Sequence, residues 1–201
     1  MSPKDKLIYS RWYAEPLRQK LRRPYVHLLF GARQTGKSTL LTALLPPETV
    51  RIDLADPAER SRYAANPHEF IQMCRSLSRT QKPQTVFVDE AQTVPTIFDA
   101  VQSLYDREKT RWRFVLCGSS ARKLRLTGAN LLPGRSMIHH LYPLTLTEHP
   151  AHEVCPAPAV SPLAFSWPKG FAPANVFPTI DLMTRLAYGE LPAQGWACCT
   201  T

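Results

Sequence analysis

Residues 28–41 read LLFGARQTGKSTLL, and the setting of the two glycines decides the fold. The apolar run YVHLLF (25–30) is too short for a helix with its own hydrophobic stripe and stops at a glycine, which predicts a buried strand. KSTLLTALL (37–45) predicts a helix that ends before Pro46 and Pro47. A glycine-rich turn between a buried strand and a helix can aim several backbone N–H groups at one small volume. That geometry favours an anion, phosphate above all.

The turn GARQTGKS, Gly31 to Ser38, matches G-x-x-x-x-G-K-[ST] without a gap. Gly31 and Gly36 are expected to permit the tight turn, and N–H groups from Gln34 through Ser38 to surround phosphate oxygens. Lys37 would reach the β- and γ-phosphates, while the Ser38 hydroxyl would ligate magnesium. The cofactor-binding candidates are therefore Gly31, Ala32, Arg33, Gln34, Thr35, Gly36, Lys37, Ser38 and Thr39. The alternative is a glycine turn with an exposed lysine; the strand before it and the helix after it favour phosphate.

A second apolar strand, TVFVDE (85–90), ends in an acidic pair. Asp89 is expected to face the magnesium held by Ser38, and Glu90 to polarise an attacking water, which points to hydrolysis rather than binding alone. A solvated turn is the alternative. Ser119 and Ser120 follow the strand RFVLCG (113–118), at the carboxyl edge where ligands of open α/β sheets gather. One of them can sense a γ-phosphate or cap a helix. Arg135, in LLPGRSM, has a planar guanidinium suited to phosphoryl charge. A surface arginine in a turn is the alternative, and Arg122, Lys123 and Arg125 compete for the same role.

Further strands are expected at TVRIDL (49–54) and SMIHHLY (136–142). Stretches of helical length separate the five strands, and two of these, around residues 66–81 and 94–108, place apolar residues on one helical face. The alternation predicts an α/β fold, a three-layer sandwich with a mostly parallel five-stranded sheet. Prolines at 150, 156, 158, 162, 168, 173 and 178 mark residues 149–178 as a linker or irregular excursion. The expected organisation is a basic N-terminal helix over 1–24, a nucleotide-binding domain over 25–148, that proline-rich stretch, and a short remnant of a C-terminal region over 179–201.

At 201 residues, with 44% hydrophobic and 20% charged composition, the chain is long enough and apolar enough for a full core. It has no run of eighteen apolar residues and no signal-peptide core, so a cytoplasmic protein without membrane contact is expected. Five cysteines without a C-x-x-C pair suggest reduced thiols rather than a zinc site or a disulfide framework. The net charge is +9, part of it in RWYAEPLRQKLRR (11–23). That segment suits nucleic acid, or a basic amphipathic helix packed beside the core.

Taken together, GARQTGKSTLL, IDLADPAER, FVDEAQ, LCGSSARKL, GANLLPGR and LYPLTLTE resemble the prokaryotic AAA-type P-loop ATPases. Those carry a C-terminal domain of open character, nuclease-like among the alternatives. The resemblance spans about residues 25–148. It implies ATP with Mg2+ as cofactors, Lys37 and Ser38 as nucleotide and metal contacts, and Asp89 and Glu90 as the second acidic motif. It further implies Ser119 or Ser120 as sensor and Arg135 as a finger acting on its own or a neighbour's nucleotide. ATP rather than GTP rests on this resemblance, as no N-K-x-D type guanine-reading motif follows the acidic strand. Relatives of this kind continue past a motif like YGELP (188–192), so a shortened chain is expected here.

The expected function is a Mg-dependent ATPase coupling nucleotide state to an unknown protein partner. A hydrolysis-poor nucleotide-binding switch or remnant, and a nucleic-acid-binding protein regulated by ATP, are the alternatives. A small-molecule phosphotransferase ranks last because no acceptor pocket is legible.

Overall fold

The computed structural model describes residues 11–119 and 132–144. The expectations for residues 149–178 and 179–201, and those for Ser120, Arg122, Lys123 and Arg125, lie outside the described residues. The chain divides into two units. One comprises Met1–Trp12 and Tyr142–Thr201 and is described only around Arg11 and Tyr142, where Arg11 Nη2 donates to the Tyr142 carbonyl at 2.6 Å. The other, Tyr13–Leu141, holds the sheet.

Its elements in chain order are α1 (Ala14–Leu21), β1 (Val26–Phe30), α2 (Lys37–Leu44), β2 (Val50–Asp53), α3 (Pro57–Ala65) and α4 (Pro67–Ser76). Then come β3 (Gln84–Asp89), a 3-10 turn (Ala91–Thr93), α5 (Thr96–Arg107), β4 (Trp112–Gly118) and β5 (Ser136–His140). The strands form one five-stranded sheet in the order β2-β3-β4-β1-β5, and each of its pairings is parallel. The expected α/β sandwich is present.

Side-chain alternation sorts the layers. Val26, Leu28 and Phe30, with Val86, Val88, Phe114 and Leu116, pack against α3, α4 and α5 through Tyr63, Phe70, Ile97, Val101 and Leu104. The intervening Leu29, Phe87, Val115 and Cys117 pack against α1 and α2 through Leu17, Leu21, Leu40 and Leu41. Both faces of the central strands are buried, which is why they read as continuous apolar runs.

Two prolines start helices here rather than break them. Pro57 and Pro67 occupy first-turn positions, behind Asp56 and Asn66, whose side chains accept from the N–H groups of Ala58 at 2.9 Å and His68 at 3.2 Å. The basic N-terminal segment is helical only over α1 among the described residues. Leu17 and Leu21 are buried in the core, while Arg18 pairs with Glu15 at 3.2 Å on the exposed side. α1 is thus a packed core helix whose outer face is basic.

β1 and β5 are also joined through side chains. His27 Nε2 lies 3.1 Å from the Arg23 carbonyl, His27 Nδ1 lies 3.1 Å from His139 Nε2, and His139 Nδ1 lies 3.1 Å from the Tyr13 hydroxyl. A carbonyl can only accept, so His27 Nε2 carries a proton, His139 Nε2 donates to His27 Nδ1, and the Tyr13 hydroxyl donates to His139 Nδ1. The whole run is satisfied with both rings neutral.

Burial lowers the pKa of His27, and burial together with the neighbouring His27 lowers that of His139 to about 4. An unfolded chain takes up these protons near pH 6.5, the folded chain only at lower pH. Stability is therefore fully present above about pH 6.5 and declines as pH falls toward 4, by roughly 2 kcal/mol for His139 alone. Urea titrations at pH 7.5 and 4.5 should show this loss, and His139→Asn should flatten it. An equal slope in the variant would assign the acid sensitivity elsewhere.

Candidate phosphate-binding site

β1 and β3 flank β4, and all three point their carboxyl ends the same way, so the segments leaving them converge. From β1 comes the loop 31–36. Gln34 has φ 63° and Gly36 φ 83°, both left-handed, and such turns gather successive N–H groups into a concave nest. Gly31 serves differently: a Cβ there would collide with the Leu141 carbonyl oxygen, on the stretch leaving β5. The Leu141 N–H donates to the Phe30 carbonyl at 2.7 Å, which holds the two segments at that spacing.

α2 begins at Gly36 with no side-chain cap, so its first-turn N–H groups are available to an anion. Lys37 is only 5% exposed, and its Nζ donates to the Ala32 carbonyl at 2.8 Å across the loop; Thr35 Oγ1 donates to the same carbonyl at 3.0 Å.

From β3 comes the acidic pair. Asp89 Oδ1 accepts from the Glu90 N–H at 2.9 Å and from the Cys117 thiol at 3.1 Å. Burial, aided by Asp89, pushes the Cys117 thiol well above its usual pKa, so it stays a protonated donor. Glu90 takes a left-handed backbone, φ 49°, and its carbonyl accepts from the Thr93 N–H and hydroxyl, both at 2.9 Å.

These parts meet in a cleft of about 500 Å³ lined by Arg33, Gln34, Gly36, Lys37, Ser38, Thr39, Ala55, Arg60, Glu90 and Thr93. Its lining carries three cationic side chains and one carboxylate, a balance that favours a polyanion. Among the described residues no cluster of three or more His, Cys, Asp or Glu could hold a metal ion. A hard cation here would draw on the Ser38 hydroxyl and Asp89 with phosphate oxygens and water. That sparse protein set is the habit of magnesium.

Several expected members do not line the cleft: Gly31, Ala32 and Thr35 of the loop, Asp89, Ser119 and Arg135. Arg135 precedes β5, and β5 runs parallel to β1 with Ser136 opposite Val26, so Arg135 sits at the amino edge of the sheet. There its Nε pairs with Asp106 at 2.5 Å. The strand length separates it from the loop at Gly31, so of the two open readings, its own or a neighbour's nucleotide, this arrangement keeps it away from the chain's own loop. Ser119 does lie at the carboxyl edge, yet it is bonded to Gln92 rather than exposed on the cleft wall. Reading the sequence missed Arg60 and Gln92, although IDLADPAER and FVDEAQ contained them.

The fold and this loop define a P-loop nucleotide-binding protein. The chain belongs to the AAA-domain family, whose model matches residues 23–149. It is 33% identical over 144 residues, 71% of its length, to the uncharacterized proteins Rv2008c of Mycobacterium tuberculosis and Mb2031c of Mycobacterium bovis. The chain spans 30% of the length of these curated relatives. Among solved structures it is similar to a Walker-type ATPase of Pyrococcus abyssi, at TM-score 0.49 and 21% identity over 72% of this chain and 57% of that one. It is also similar to PCH-2 of C. elegans, at TM-score 0.47 and 15% identity over 72% and 46%. Among the described residues no helix is long and apolar enough to cross a membrane.

Proposed function

We propose that the chain binds ATP with Mg2+ in the cleft after β1 and hydrolyses it, passing nucleotide state to a protein partner in the cytoplasm. The observation that carries this is the shared cleft: the loop and first turn of α2 face Glu90 across one cavity. Residues Gly31 to Thr39 form the phosphate cradle, and Lys37 leaves the Ala32 carbonyl for the β- and γ-phosphates. Glu90 accepts the proton of the attacking water. Mg2+ would be held by Ser38 and Asp89 and would neutralise phosphate charge.

Arg60 joins this set. It reaches the cleft from α3, and among the described residues no acidic side chain forms an ion pair with it. A guanidinium so placed is suited to phosphate oxygens. Arg60→Ala is expected to weaken ATP binding roughly tenfold, the size of one lost charged hydrogen bond. A calorimetric titration with unchanged affinity would return Arg60 to the surface.

The direct test is nucleotide titration and phosphate release on the 201-residue chain with Mg2+. Saturable ATP binding with steady release supports the proposal, and no binding sinks it. Binding without release supports the alternative of a hydrolysis-poor switch. That alternative is favoured by one observation: neither Ser119 nor Arg135 reaches the cleft in this arrangement.

A further inference from the structure

Gln92 sits in the 3-10 turn after β3 and is only 6% exposed. Its side-chain amide is engaged at both ends. Nε2 donates to Glu90 Oε2 and to Ser119 Oγ, the latter at 3.1 Å, while Oε1 accepts the Ser119 N–H at 3.2 Å. A Cβ on Gly118 would collide with that same Oε1, so the end of β4 is shaped around the amide. Two groups from different strands, 29 residues apart, are thus joined through one buried side chain.

The position of the pair sharpens this. β4 lies between β1 and β3, so Ser119 emerges between the phosphate loop and the acidic turn. Glu90 lines the cleft, whereas Gln92 and Ser119 are not on its wall. A carboxylate beside a triphosphate is repelled by it, and its orientation then depends on what holds it from behind. Gln92 is the described side chain that does so.

We infer that Gln92 is a positioning residue that fixes the Glu90 carboxylate toward the attacking water and makes its placement depend on the hydroxyl of Ser119. When a γ-phosphate draws the Ser119 hydroxyl out of its present bond toward the cleft it does not now line, Gln92 Nε2 loses one acceptor and its remaining bond to Glu90 tightens. Sensing and base activation then become one event. This rests on the nucleotide reading above and adds the route by which the terminal phosphate is detected.

The test compares the full chain with Gln92→Ala, Ser119→Ala, the double variant and Gln92→Glu, with melting temperatures as a check on folding. Gln92→Ala is expected to lower kcat roughly 10- to 100-fold, with the KM for ATP within about threefold. The double variant should fall within about twofold of the worse single one, because both cut the same link. Gln92→Glu sets a second carboxylate against Glu90, so the acid limb of the kcat profile should move to higher pH.

An unchanged kcat in Gln92→Ala, additive losses in the double variant, or an unmoved acid limb in Gln92→Glu would overturn the inference. If Gln92→Ala does not fold, Ser119→Ala and Gln92→Glu decide alone: lost kcat at constant KM with a moved acid limb supports the coupling, and anything else removes it. If release by the parent is too slow to follow, the parent, the two alanine variants and their double are compared by the ratio of their ADP and ATP dissociation constants. Non-additivity there supports the coupling, and additivity overturns it. Failure of the nucleotide reading is distinguishable, since the parent would then bind ATP no better than Lys37→Ala, and the inference would go with it.

Discussion

Lys37→Ala is expected to weaken ATP binding by about 100-fold and to take phosphate release below detection. The ammonium is buried and already spans the loop to the Ala32 carbonyl, 2.8 Å away. It exchanges one neutral acceptor for anionic phosphate oxygens without moving far, so little of the gain is lost to ordering the side chain. Charge-assisted hydrogen bonds contribute about 1.5–3 kcal/mol each, and two of them account for the expected factor. Removing the ammonium also leaves the Ala32 carbonyl without that donor, although Thr35 Oγ1 still serves it, so the variant should fold. Isothermal titration with ATP and Mg2+, next to a melting curve, separates lost binding from lost structure. A folded variant that still turns over ATP would exclude this loop as the site.

Glu90→Gln separates binding from chemistry. The swap keeps the shape of the side chain and an oxygen that can accept from Gln92 Nε2, so the turn after β3 should hold. It removes the basic carboxylate and relieves repulsion with the triphosphate. ATP affinity should stay within about threefold, while the release rate falls about 100- to 1000-fold, the range for losing a general base. Single-turnover phosphate release checks this, with trapped ATP recovered from the variant. Release at the parental rate would assign the base elsewhere. Under the hydrolysis-poor alternative the parent itself would release little, and the two proteins would look alike.

All five strands were legible because both faces of the central ones are buried and each run stops at a turn residue or an acidic pair. α3 was not singled out, because PAERSRYAA buries only Tyr63 and so carries no apolar stripe. The phosphate loop was legible because its geometry is local. Gly31 shows the limit of that: its need for a missing side chain comes from Leu141, 110 residues away. That Arg135 lies away from the chain's own loop was readable in principle. In a parallel sheet with ligand at the carboxyl edge, any residue just before a strand lies at the opposite edge. Gln92 and Arg60 were quoted within motifs but had no visible role, since that role depends on which strand lies beside β3 and where α3 turns back. Pairing order is a tertiary fact that no spacing states.

The histidine tie between β1 and β5 bears on how the edge strand finds its place. β5 is paired on one side only, and of its five residues only His139 is buried. Hydrophobic patterning therefore says little about alignment, and a slide of two residues would keep the same face inward. Such a slide would put Met137 or Leu141 in the place from which His139 bonds His27, leaving the buried Nδ1 without a donor and the Tyr13 hydroxyl without its acceptor. The misaligned edge is penalised by two broken polar contacts rather than by many lost apolar ones. His139 thus acts as an address label, giving a weakly specified strand a single correct docking position.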